Sequence, residues 1–116
     1  MDFSAESIER VEHVLSKLHL QRLNGKMTDH ELSTLSARYG AYIGEVIRKL
    51  KGGHWESDHP AAGPASYPLH WSDHQSFPLG WCYKRIVTGE EDNVYHKFVL
   101  IVLEVQESSE FNPQPP

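Results

Sequence analysis

The stretch from Leu35 to Trp55, LSARYGAYIGEVIRKLKGGHW, constrains this chain more than any other. Its apolar residues recur at helical spacing, Gly52-Gly53 then supplies a stop, and a tryptophan follows at once. Within the helical run, Gly40 and Gly44 lie one turn apart with Ala37 and Ala41 nearby. Each interior glycine costs about 1 kcal/mol relative to alanine. Such a cost is tolerable where another element packs close to the backbone, so a second element is expected across this face. A membrane-dimer reading of the same GxxxG spacing is poor, because Arg38, Glu45, Arg48 and Lys49 interrupt the apolar stretch.

The start of this helix is marked by Thr28 and Glu31, spaced as a capping box, with Met27 and Leu32 placed as the hydrophobic staple around it. Leu32, Leu35, Tyr39, Tyr42 or Ile43, Val46, Ile47 and Leu50 make its broad apolar face. An earlier helix is expected from Ser4 as N-cap, with Phe3 stapled onto Ile8. Its apolar side carries Ile8, Val11, Leu15 and Leu18 and reaches Leu23, while Glu6, Glu9, Arg10, Glu12 and Lys17 fall on the other side. Asn24-Gly25 ends it.

Beyond the double glycine the helical period is lost from His54 to Phe77. Short strands are expected near Trp55 and over Tyr67 to Trp71, joined by the loop HPAAGPAS. Two similar pieces, HWESDH from His54 and HWSDH from His70, suit facing strand ends. Pro78 fits the first turn of a third helix running through Trp81, Cys82 and Ile86 to Gly89. The segment EEDNVYHKFVLIVLEV is rich in β-branched residues, as a strand would be. Val94, Phe98, Ile101, Val102 and Val105 nevertheless fall at helical spacing with Asp92 available as a cap, and a fourth helix is the reading adopted. The expected architecture is α+β: an N-terminal helix pair, a short central β-hairpin or small antiparallel sheet, and a C-terminal helix pair. One domain spans 1–106, and 107–116, with three prolines and no pattern, forms a mobile tail.

A length of 116 residues suits one core without staples. The N-terminus is acidic and polar where a signal peptide needs a basic then apolar start, and no apolar run is long enough to span a bilayer. A soluble, cytoplasmic protein with no membrane contact is expected, and the lone Cys82 agrees with a reducing compartment. Eleven basic against sixteen acidic residues give a net charge of -5, which argues against a broad phosphate-binding face and hence against nucleic acid. Basic partners are favoured instead.

Eight histidines raise a metal hypothesis, with His54, His59, His70 and His74 as ligands and Asp58 or Asp73 as carboxylate partners. His70 and His74 would converge only on a helix, which Trp71-Ser72-Asp73 does not resemble, and there is neither an HExxH motif nor a cysteine pair. Surface histidines and strand-end hydrogen bonds are the simpler reading. Cys82, inside an apolar helix face, reads as an inert buried thiol before it reads as a nucleophile. Glu45, beside the close-packed Gly44, is expected to be partly buried, with Arg85, Lys84 or a backbone amide as partner. Aromatic residues interleave with His and Asp through the middle third, and those left outside the core would form a binding surface.

The motifs YGAYIGEVIRKLKGGHW and YKRIVTGEEDNVYHKF, across Leu32 to Phe98, resemble a family of small uncharacterised bacterial domains with a GAYxGEV helix, a GGxW stop and a later K-R, G-E-E-D turn. The loop with Ala61 to Ser66 is where this chain departs from that pattern. Such domains look like immunity proteins found beside secreted, type VI-like antibacterial toxins, and the resemblance brings no catalytic residue and no cofactor. The implied function is a non-enzymatic one: binding a cognate secreted toxin and occluding its active site. Glu56, Asp58, Asp73, Glu90, Glu91 and Asp92 would meet basic groups of the toxin, with Tyr67 or Trp71 filling a pocket. The alternatives are a histidine-based metal-binding protein or metal-dependent hydrolase, and a structural homodimer module using the glycine-marked helix face. The expected state is a monomer or weak homodimer.

Overall fold

The structure is a computed structural model that describes residues 2–56 and 67–104. Its elements in order are α1 (Ser7–Leu23), α2 (Asp29–Lys51), β1 (His54–Trp55), β2 (Leu69–Trp71), β3 (His74–Ser76), α3 (Pro78–Thr88), a 3-10 turn (Glu90–Asp92) and α4 (Val94–Phe98), which continues with wider, π-type winding over Val99–Glu104. The fold is α+β, as expected from the sequence. Residues 57–66, with the expected loop, and 105–116, with Val105 and the expected tail, lie outside the described residues.

The first helix begins later than its capping signal suggests. Ser4 heads a turn in which its carbonyl and its Oγ both accept from the Ser7 N–H, at 3.1 and 3.2 Å, and regular winding starts only at Ser7. The Phe3 ring, expected over Ile8, stacks on Tyr42 of α2 with centroids 4.6 Å apart. Tyr42 Oη also accepts from the Phe3 N–H at 2.7 Å and lies 2.7 Å from Ser7 Oγ, so the start of α1 is tied to the middle of α2. At the far end Lys26 N–H donates to Gln21 O and Gly25 N–H to Arg22 O, the pair of bonds that closes a Schellman turn. Leu23 lies 65% exposed, off the buried stripe. His19, one turn earlier, meets Gly89 at the end of α3.

For α2 the expected capping box is formed. Thr28 Oγ1 accepts from Glu31 N–H at 3.0 Å and Glu31 Oε1 accepts from Thr28 N–H at 2.9 Å, while Met27 and Leu32 are both buried. The glycines then show what they are for. A methyl group at Gly40 would fall 2.7 Å from the backbone nitrogen of Leu79, in the first turn of α3, and one at Gly44 would overlap the Trp55 indole. The principal packing partner of both α1 and α2 is α3, which Pro78 opens at its first position.

Gly53, at φ 118°, brings the chain against the backbone of β2, since a side chain there would collide with His70 O. The sheet is antiparallel in the order β1-β2-β3. His54 faces His70 and Trp55 faces Leu69, so the two similar sequence pieces do lie on neighbouring strands. A third strand was not expected. It forms because Ser72-Asp73 makes a two-residue hairpin loop, with Ser72 at φ 53°, that turns His74–Ser76 back onto Leu69–Trp71.

The fourth helix is present, but its cap is Asn93, whose Oδ1 accepts from His96 N–H at 3.0 Å, and not Asp92. Val94, Phe98 and Val102 are fully buried. A spacing of four drifts by about 40° per step around a regular α-helix. The wider winding after Phe98 turns less per residue and returns Val102 to the buried side. Together with Ile8, Val11, Leu15, Ile43, Val46, Ile47, Leu69, Trp71, Cys82 and Ile86 these side chains make one core.

Candidate functional site

Alternation along the three strands sorts the middle of the chain into two faces. Leu69, Trp71 and Ser76 point inward and are buried. Trp71 retains 1% exposure and its indole N–H donates to Ser76 Oγ at 3.1 Å. The expectation that Trp71 fills a pocket on a partner is therefore overturned: it is a core residue. The spacing Leu69, His70, Trp71 carried that signal, because a residue two places from a core leucine on a strand shares its face.

The outer face carries His54, Glu56, His70 and Gln75. His54 and His70 stack with centroids 5.2 Å apart and planes 21° from parallel. Glu56 Oε1 lies 2.6 Å from His70 Nε2, within hydrogen-bond distance. Gln75 Nε2 lies 3.5 Å from the same nitrogen. Tyr67, 40% exposed, leads into β2, and Asp73, also exposed, stands at the opposite end of that strand. His74 is elsewhere: it pairs with Trp71, shares its side of the sheet, and sets its ring 4.6 Å from the indole. The expected ligand set is thus divided between two faces, with His59 and Asp58 outside the described residues. Among the described residues, no three His, Cys, Asp or Glu side chains gather as a metal site requires.

The second acidic group stands at the other end of α3. Glu90 accepts from Arg85 Nη2 at 3.3 Å and from Asn93 Nδ2 at 3.1 Å, and Asp92 pairs with Lys97 at 3.2 Å. Glu91 is exposed. The length of α3, about 16 Å for eleven residues, separates this turn from β3. The eight residues proposed as one surface therefore fall into two clusters, apart from the buried Trp71 and the undescribed Asp58.

The residues with the most chemical potential are engaged inside the fold. Glu45 does not reach Arg85 or Lys84. Its Oε2 accepts from the Trp55 indole N–H at 2.7 Å and its Oε1 from Arg48 Nη1 at 2.8 Å, while Arg48 Nε donates to Gly53 O at 3.2 Å. Gly44, Glu45, Gly53 and Trp55, the residues of the first motif, are one network that fastens β1 to the end of α2. The glycine-marked face expected for a homodimer is covered within the chain by Leu79 and Trp55.

Arg85 is 2% exposed and reaches Glu12 on α1, which receives Arg85 Nε at 2.8 Å and the Val94 N–H at 3.0 Å. Glu12 was expected on the solvent side. It lies four residues after Ile8 and three before Leu15, on the apolar stripe itself, and that spacing was the available signal. Arg85 and Glu90 belong to the second motif, so both motifs describe structural joints. Cys82 is fully buried, as expected, and its thiol is pushed well above the ordinary range by burial, with the Glu12 carboxylate adding to the effect.

No family model matches the chain, and neither do curated proteins or solved structures. Among the described residues, no helix is long and apolar enough to cross a membrane.

Proposed function

We propose that this chain is a non-enzymatic, immunity-type protein that binds a cognate secreted toxin and covers its active site. The contact surface in this reading is the outer face of the sheet, with Glu56, His54, His70 and Gln75 at its centre and Tyr67 and Asp73 at the two ends of β2. Exposed Tyr67 supplies contact area at low entropic cost, and the carboxylates of Glu56 and Asp73 complement a basic active-site rim. The observation that carries this reading is that juxtaposition, two carboxylates and an exposed tyrosine around a strand paired on both sides by short strands. The net charge of -5 and the resemblance to immunity-type domains support the same direction.

The test combines Glu56→Lys, Tyr67→Ala and Asp73→Lys in one variant and compares it with Glu91→Lys, which alters the distant acidic turn. Loss of protection against the toxin in the first and retention in the second is the expected outcome. Full protection by the triple variant excludes this surface.

A further inference from the structure

We draw no further inference here: the strongest candidate, the His54, His70 and Glu56 cluster on the outer face of the sheet, carries nothing beyond the docking surface already proposed, because its imidazoles stack nearly parallel so that their in-plane lone pairs do not converge on one ion, and the Glu56 carboxylate is bonded to His70.

Discussion

The indole N–H of Trp55 donates to Glu45 Oε2 at 2.7 Å while the same ring lies over Gly44, one residue earlier in α2. A helix glycine, a helix carboxylate and a strand tryptophan thus specify one another, and the angle at which the chain leaves α2 follows from them. Trp55→Phe keeps a ring over Gly44 and removes only the donor, for an expected loss of about 1 kcal/mol, because the half-exposed Glu45 recovers a water. Trp55→Ala removes the packing as well and should cost about 3 kcal/mol. Urea unfolding of the two variants measures both. Equal losses would show that the hydrogen bond, and not the ring, holds the joint.

Two glycines give opposite predictions. Alanine at Gly40 gains helix propensity but meets the Leu79 backbone, and overpacking of this kind costs about 1 to 3 kcal/mol. Alanine at Gly80, inside α3, meets only Phe77 Cβ at 3.7 Å and should stabilise by about 0.5 to 1 kcal/mol. Thermal melts of Gly40→Ala and Gly80→Ala should therefore move in opposite directions.

Arg85 and Glu12 form the buried ion pair that joins α3 to α1. Glu12→Gln keeps an acceptor for the Val94 N–H but removes the buried charge partner and leaves the guanidinium only its longer contact with the exposed Glu90, at an expected cost of about 3 kcal/mol. Replacing both, with Glu12→Leu and Arg85→Met, should cost less than the sum of the two single changes. Strict additivity in a double-mutant cycle would contradict the pairing.

The Cys82 thiol should resist alkylation in the native protein and react at the rate of global opening. Its folded pKa is raised, so the linked stability is intact below the ordinary thiol pKa and is lost as pH rises beyond it, where the unfolded thiol ionises and the folded one does not. Cys82→Ala should remove this part of the alkaline loss of stability, which denaturant titrations on either side of the ordinary thiol range will show.

What could be read from the sequence was what lies within a helical turn or two. The Thr28 and Glu31 box, the glycine stops and the start of α3 at Pro78 are local rules, and each holds. Gly40 and Gly44 announced that something packs close, yet not that it is Leu79 and Trp55, since only the assembled chain chooses the partner. Glu45 was correctly placed beside a tight contact, but its partner is ten residues away around a turn whose geometry depends on Gly52 and Gly53. Glu12 and Trp71 were assigned to solvent by residue type and by neighbourhood, although their spacing to Ile8, Leu15 and Leu69 placed them on core faces. The third strand rests on Ser72 at positive φ, a conformation serine seldom adopts and one no turn rule would assign to it.

The central claim is that the outer sheet face binds a toxin. The direct measurement is quantitative capture of proteins from the source organism on the immobilised chain and on its Glu56→Lys, Tyr67→Ala, Asp73→Lys variant, followed by expression of whatever separates the two. The account predicts one protein retained in near-equal amount by the parent and lost by the variant, which arrests growth when expressed alone and ceases to do so when the parent chain is co-expressed. A partner held equally by both, or a captured protein whose expression is harmless, would contradict it.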